Sequence, residues 1–200
     1  MSGKILPFRR PATPPKDVSA GLSDEALLSA CGIGDTAALG ELYERFHPVV
    51  YRVLSRLVGA TCAELDDLVQ ATFIEVMRAA ARYQRRSSVR SYVLGIASNI
   101  ARHHHRSQHR RKCMEISLPP PGSSPCEPEQ AASQREFMQR LLVALDDLPH
   151  DLREAFVMCD LEEVAGVDVA RALGVREGTL WRRLHEARRA LRCALTEKAP

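Results

Sequence analysis

The sequence predicts an all-α protein made of two small helical domains that are joined by a flexible, proline-rich linker. Three observations lead to this fold class. Apolar residues recur at helical spacing along most of the chain. No segment alternates apolar and polar residues as a half-buried strand does. Residues 114–133 are rich in proline, glycine and serine, which do not sustain a helix.

The chain has 200 residues, which suit one medium domain or two small ones. We expect a disordered basic tail over 1–22, a first domain over 23–113, a linker over 114–133 and a second domain over 134–196. The apolar cluster of the tail is short and contains Pro7, so it is neither a signal peptide nor a membrane span. No later segment has the roughly 20 uninterrupted apolar residues of a transmembrane helix. A cytoplasmic location follows as an expectation.

Start and stop signals delimit the first two helices. Ser23 is a capping residue followed by two acids, and Asp35 with Thr36 opens the second helix. Pro48 predicts a kink or a restart within that helix, because proline lacks the amide donor. Gly59 predicts its end.

The remaining helices are predicted from apolar spacing. A third helix covers about 64–83, and a fourth begins near Ser88 with one apolar face and one polar face. In the second domain Pro149 and Gly174 separate helical patterns, which cover 134–148, 150–160, 165–172 and 176–195.

A basic block lies in the first domain. Between Val76 and Met114 there are ten arginine or lysine residues and no aspartate or glutamate, although the net charge of the whole chain is only +3. A charge localised in this way indicates a polyanionic partner. Within the block, the polar loop 85–88 lies between Tyr83 and Tyr92, a composition that suits single-stranded bases. For the two tyrosines themselves, core packing is the favoured interpretation.

The strongest local signal is a helix-turn-helix pattern from Val169 to Leu180, with Gly174 at the turn and an arginine-rich second helix. The apolar residues of that helix must face the core: Leu180, Leu184, Ala187 and Leu191. The outward side chains can then reach a major groove: Trp181, Arg182, His185, Glu186 and Arg189. An ordinary solvated helix pair is the alternative interpretation.

Three motifs together resemble a known family. The first is the acidic helix Asp66-Asp67-Leu68-Val69-Gln70-Ala71-Thr72-Phe73, and the second is Tyr92-Val93-Leu94-Gly95-Ile96-Ala97-Ser98-Asn99. The third joins Leu148-Pro149, Asp160-Leu161 and the segment from Gly178 to Leu191. In their order and spacing over residues 22–195, these motifs resemble the extracytoplasmic-function sigma factors. The chain departs from the family pattern at four positions: Ala71, Tyr92, Gly166 and Trp181.

This resemblance implies a promoter-specific transcription initiation factor that is not an enzyme, needs no cofactor, and assists promoter melting. Core RNA polymerase would contact the acidic helix through Asp66, Asp67, Leu68, Gln70 and Phe73. The minus-ten promoter strand would contact Arg85, Arg86, Ser87, Ser88, Arg90, Asn99, Arg102 and Arg106. The minus-thirty-five element would contact Arg176, Thr179, Trp181, Arg182, Arg183, His185 and Arg189. An anti-sigma factor is a further expected partner, whereas membrane insertion and a small-molecule substrate are not expected.

Other interpretations of these residues remain open. His105, His109 and Cys113 are four residues apart on one helical face and could bind a metal, although a polar helix end is favoured and no metal is expected. The six cysteines form no CxxC pair, which predicts reduced thiols, several of them buried. Asp66 and Asp67 point in different directions on a helix, which argues against a catalytic pair. The rival classes are a duplex-DNA regulator without polymerase and a sigma mimic that binds an anti-sigma partner.

Overall fold

The computed structural model describes residues 21–59, 62–114 and 132–196, and these ranges contain α-helices and no β-strand. The predicted all-α class is therefore confirmed. Most of the predicted tail and linker lies outside the described residues. None of the described helices combines the length and the hydropathy that a membrane crossing requires. Within the described ranges, eight α-helices follow in chain order: α1 (Asp24–Gly32), α2 (Thr36–Val58), α3 (Leu65–Ala80), α4 (Val89–Met114), α5 (Ala132–Asp146), α6 (His150–Phe156), α7 (Gly166–Leu173) and α8 (Glu177–Thr196).

The predicted caps of the first two helices are present. The Ser23 hydroxyl accepts a hydrogen bond from the amide of Ala26 at 3.3 Å, and one Asp35 carboxylate oxygen accepts from the amides of Ala37 and Ala38. These side chains satisfy amide groups that have no partner within the helix. Helix α2 ends at Val58 and is followed by Gly59, whose φ of +93° lies in the region that favours glycine.

The prediction of a restart at Pro48 is wrong, because α2 is one helix from Thr36 to Val58 with Pro48 inside it. Buried residues on both sides of the proline, among them Leu42, Val50 and Val53, anchor the helix in the core. Tertiary packing of an apolar face thus outweighs the local cost of the missing amide donor, about 3 kcal/mol in an ordinary helix interior.

Helices α1 to α4 form one unit, called here the N-terminal unit. Within it, α1, α3 and α4 pack against the apolar face of α2. Phe73 of α3 is 4% exposed and packs against Tyr43 of α2, with ring centroids 4.7 Å apart. Phe73, for which a polymerase contact is predicted, thus has its ring in the core. The face of α4 that was predicted to be apolar supplies Val89, Val93 and Ala97, all fully buried or nearly so.

Helices α5 to α8, called here the C-terminal unit, contain the predicted helix-turn-helix. Helix α6 continues into a π-helical turn, Val157–Leu161, before α7 begins. Gly174 ends α7 in the left-handed conformation, with φ +66°, and α8 follows at Glu177. The residues of α8 that were predicted to face the core are all buried: Leu180, Leu184, Ala187 and Leu191.

The two units are packed directly on each other, which the sequence analysis did not predict. One continuous apolar cluster includes Val93 and Leu94 of α4 together with Val169 and Leu173 of α7. Gly95 allows this approach, because a Cβ atom added there would lie only 2.7 Å from the Cβ atom of Ala172. Part of α4 is therefore covered by the C-terminal unit.

Candidate nucleic-acid interface

The loop before α4 is exposed and basic, as predicted. Arg85, Arg86 and Ser88 are exposed, and Arg85 adopts a positive φ of 54°. The hydroxyl of Tyr83 donates to the carbonyl oxygen of Ser87 at 2.5 Å, which ties the loop to the end of α3. This arrangement presents two cations without burying them, so the loop can contact a nucleic-acid backbone.

The two tyrosines that flank the loop pack against each other rather than standing free. The ring centroids of Tyr83 and Tyr92 are 4.9 Å apart, and the hydroxyl of Tyr92 donates to the carbonyl oxygen of Ala79 at 2.9 Å. Burial raises the pKa of both hydroxyl groups. This packing agrees with the structural interpretation favoured from the sequence, in which both rings are core residues.

Arg90 on α4 contacts the C-terminal unit. Its guanidinium donates to the carbonyl oxygen of Glu162 at 2.7 Å and to the carboxylate of the same residue at 2.8 Å. Arg52 and Arg56 of α2 donate to that carboxylate as well, Arg52 with two nitrogens at 2.8 and 2.9 Å and Arg56 at 2.8 Å. The Glu162 side chain is only 1% exposed, so three guanidinium groups of one unit enclose one carboxylate of the other.

The crowding around Glu162 affects the cations as well. Burial lowers the pKa of the Arg56 guanidinium, and the neighbouring charge of Arg52 lowers it further, whereas Glu162 raises it. The cluster thus contains more positive than negative charge, and it depends on the single carboxylate to hold the three arginines together.

A second buried carboxylate, that of Glu154 on α6, lies against a later part of α4. The Glu154 side chain is 1% exposed, and it accepts from the guanidinium of Arg102 at 2.8 and 2.9 Å and from the hydroxyl of Ser98 in a short hydrogen bond. Burial raises the pKa of Glu154, although Ser98 and Arg102 both lower it by stabilising the charged form. Arg102 also donates to the side-chain oxygen of Asn99 at 3.3 Å. Of the residues predicted for α4, Arg106 is exposed.

Helix α8 has most of its predicted outer face in the solvent, although Glu186 is partly buried. Arg182, His185 and Arg189 are exposed, as are Arg176 just before α8 and Gly178 within it. Thr179 is partly buried. Arg183 is partly engaged within its own unit, because its Nε lies 3.2 Å from an Asp151 oxygen. The exposed cations can therefore approach a DNA groove without rearrangement of the C-terminal unit.

Trp181 packs against Gly166, which brings together two of the four positions that depart from the family pattern. A Cβ atom on Gly166 would lie 2.6 Å from the indole ring, so the glycine leaves the space in which the ring lies. Trp181 as a whole is nevertheless 50% exposed. Both residues were recognised from the sequence as departures from the family pattern, but the sequence could not show that they are in contact.

The acidic side chains of α3 are displayed as predicted. Asp66, Asp67 and Gln70 are exposed, and Leu68 is half-buried. Ile74, one turn beyond Gln70, is 47% exposed and continues this surface with an apolar side chain that the sequence analysis missed. An acidic surface with an apolar extension is suited to a protein partner.

The hypothesis of a metal site finds no support in the part of the chain that can be described. The side chains of His109 and Cys113 lie outside it, and within the described residues no three histidine, cysteine or acidic side chains converge as metal ligands. His105 instead stacks on His150 of α6, with ring centroids 4.7 Å apart. Among the described cysteines Cys31 is buried, Cys62 and Cys159 are partly buried, and Cys193 is exposed.

Glu154 and Glu162 are the buried charged residues that the sequence analysis missed. A signal for Glu154 was present, because it lies on the same helical face as Met158 four residues later, and both are buried. A glutamate on an apolar face indicates a buried charge that needs a partner. Nothing in the local sequence could show that the partners lie in the other unit.

Two family models match the chain in the order of its two units. Sigma-70 region 2 matches residues 42–111, and Sigma-70 region 4 matches residues 138–191. The fold with its two candidate interfaces is therefore that of a sigma-70-type protein. Similar curated proteins narrow this class further.

Relatives include the ECF RNA polymerase sigma factor SigM of Mycobacterium tuberculosis, which is 30% identical over 84% of this chain and 83% of its own length. SigE of Mycolicibacterium smegmatis is 34% identical over 80% of this chain, which spans 63% of the length of that relative. The ECF sigma-E factor of Escherichia coli is 27% identical over 87% and 95% of the two chains. The chain belongs to the family of ECF RNA polymerase sigma factors.

Solved structures share the fold. CnrH, in complex with the cytosolic domain of CnrY, matches with a TM-score of 0.63 and 23% identity over 88% of this chain and 99% of that one. The sigma factor RpoE of Bartonella quintana, in complex with the anti-sigma factor NepR, matches with a TM-score of 0.64 and 21% identity over 80% and 98%. At these identities the likeness is one of fold.

Proposed function

We propose that this protein binds core RNA polymerase, recognises the minus-thirty-five and minus-ten promoter elements, and assists promoter melting. The observation that carries the proposal is the presence of two separate basic surfaces in the order of regions 2 and 4: the loop with α4, and α8. Promoter recognition at two elements needs two such surfaces on one chain.

Recognition of duplex DNA is assigned to α8. Its buried leucines fix the helix, so that Arg182, His185 and Arg189 point away from the core. Arginine on such a helix can donate two hydrogen bonds to guanine or hold backbone phosphates. The half-exposed ring of Trp181 adds an apolar surface, which can contact the methyl group of thymine.

The minus-ten strand is assigned to the exposed loop with Arg85 and Arg86 and to the polar side of α4. Holding an unpaired strand offsets the unstacking of its bases, which costs a few kcal/mol. Melting is then driven by the free energy of binding, without nucleotide hydrolysis. The polymerase contact is assigned to Asp66, Asp67 and Gln70, which are exposed on α3.

An anti-sigma factor is a proposed regulatory partner. The support is that the fold matches RpoE of Bartonella quintana, which was solved with the anti-sigma factor NepR. Since core polymerase is located inside the cell, the proposed function places this chain there as well.

The test is run-off transcription with purified bacterial core polymerase on a fragmented genome. We expect defined transcripts with the unaltered chain and their loss with the Arg85→Ala, Arg86→Ala double variant. A matched control, Arg78→Ala with Arg82→Ala, removes the same charge from exposed positions at the end of α3 and should retain the transcripts. Failure of the chain to bind core polymerase would contradict the proposal and favour a regulator of duplex DNA.

A further inference from the structure

We propose that Glu154 and Glu162 of the C-terminal unit occupy the basic face of α4 in place of DNA phosphates, so that the closed chain excludes the promoter strand. The inference rests on the proposed function, since it uses the same α4 surface. It adds an intramolecular partner that competes with DNA for that surface. The two units must therefore separate before α4 can bind the strand.

The first support is the chemistry at Glu162. Arg52 donates from Nε and Nη2 to the two carboxylate oxygens, at 2.8 and 2.9 Å. This fork geometry suits carboxylate and phosphate alike. Arg56 and Arg90 complete a pocket of three cations around one anion. With Glu162 removed, the pocket has the charge and the donors of a phosphate site.

The second support is the position of Glu154 along α4. Arg102 lies 12 residues after Arg90, so the two arginines are spaced along the same helix, and each is bound by a different carboxylate of the C-terminal unit. Ser98 also donates to Glu154 and cannot donate to a strand at the same time. Arg90, Ser98 and Arg102 of α4 are thereby engaged by the C-terminal unit.

The third support is steric. With Gly95 so near Ala172, α7 lies directly on α4 and leaves no room for a nucleic-acid strand between them. Arg171 of α7 also donates to the carbonyl oxygen of Arg86 at 2.9 Å, which extends the contact to the basic loop. The ion pairs and the close packing of α7 therefore cover the same face of α4.

The closed state can be opened by partners that prefer the open one. A ligand shifts such an equilibrium only by its difference in affinity between the two states. Phosphates that replace both carboxylates on α4 provide this difference, and so does a protein that binds the covered face of the C-terminal unit. Binding of one such partner must then strengthen binding of the other, because the coupling is reciprocal.

Two variants open the same contact by different means. Glu162→Gln removes the charge that holds Arg52, Arg56 and Arg90, and Gly95→Leu inserts a side chain against Ala172 without changing any charge. Asp24→Asn is the matched control for charge, because its ion pair with Arg45 lies within the N-terminal unit. None of the three alters a residue assigned to DNA binding.

The experiment measures binding of each full-length chain to a fluorescent single-stranded oligothymidine by anisotropy, with small-angle scattering to report unit separation. We expect both opening variants to enlarge the radius of gyration and to bind the strand at least about tenfold more tightly, as a larger binding-competent fraction requires. Asp24→Asn should match the unaltered chain in both measurements.

Separated units without tighter binding, or unchanged binding by a folded Gly95→Leu chain, would overturn the inference. If Glu162→Gln does not fold, as judged by circular dichroism, the result with Gly95→Leu decides. The assay contains no polymerase, so its failure differs from a failure of the proposed function. In that second case, the chain would produce no transcripts with core polymerase, whatever its affinity for the strand.

Discussion

The two helices assigned to DNA, α4 and α8, are in opposite situations. On α4, Arg90 and Arg102 donate to carboxylates of the other unit, whereas on α8 Arg182 and Arg189 are exposed. Both helices are rich in arginine, so the number of cations does not distinguish them. What differs is their environment, because α4 has helices packed on two sides and α8 has an open outer face. A basic helix is available to DNA only where the tertiary structure leaves its cations free.

The largest expected effect tests this difference directly in the free chain. Arg182→Ala should weaken binding to duplex promoter DNA by about 1–3 kcal/mol, or roughly fivefold to 150-fold. Arg188→Ala is the control on the same helix and should cost less, since Arg188 is already bound to Asp160 at 2.6 and 2.8 Å. Arg90→Ala should leave this affinity unchanged. Anisotropy titrations over a range of salt would check the three variants, and equal losses from Arg182→Ala and Arg90→Ala would contradict the comparison.

The second expected effect is on stability and acts at the contact that covers α4. Burial, together with nearby positive groups, lowers the pKa of His150 from 6.5 to about 4. The folded chain thus keeps this ring neutral while the unfolded chain binds a proton. The resulting stability is complete above pH 6.5 and is lost as the pH falls toward 4. Between about pH 7 and pH 5 the loss should be on the order of 1–2 kcal/mol.

The control for this effect is His150→Phe, which keeps an aromatic ring against His105 and cannot be protonated. Glu154 titrates with the opposite sign, because burial raises its pKa, so only the difference between the two chains isolates His150. Chemical unfolding at a series of pH values measures that difference, and an equal loss in both chains would contradict the assignment. The charged or titratable groups near His150 are, on α4, Arg102, His105 and Arg106 and, in the C-terminal unit, Asp151, Arg153, Glu154 and Arg183.

The smallest expected effect concerns sequence preference on α8. Trp181→Lys should change the preferred minus-thirty-five sequence, because a cation replaces the half-exposed ring. Gly166→Ala should change the same preference by moving the ring, with an effect on overall affinity below about 1 kcal/mol, as for a change away from the main contacts. Selection from a randomised promoter library would check both, and an unaltered preferred sequence in the two variants would contradict this role of the ring.

Helix positions followed from local rules in most of the chain. The caps at Ser23 and Asp35 and the stop at Gly174 depend on residues within a few positions, which the sequence shows directly. The buried leucines of α8 followed from spacing alone. The local rule failed at Pro48, where a restart was predicted but packing on both sides of the proline outweighed the missing donor.

The sequence by itself determined the helical class, the outward arginines of α8 and the basic loop, because each depends on capping, periodicity or local composition. Only the tertiary structure decided that α4 is covered, that Glu154 and Glu162 are its partners, and that Trp181 lies on Gly166. The physical reason is separation along the chain: Arg52 and Glu162 are 110 residues apart, and Arg102 and Glu154 are 52 apart. No local pattern encodes such pairs, because they form only when the two units pack together.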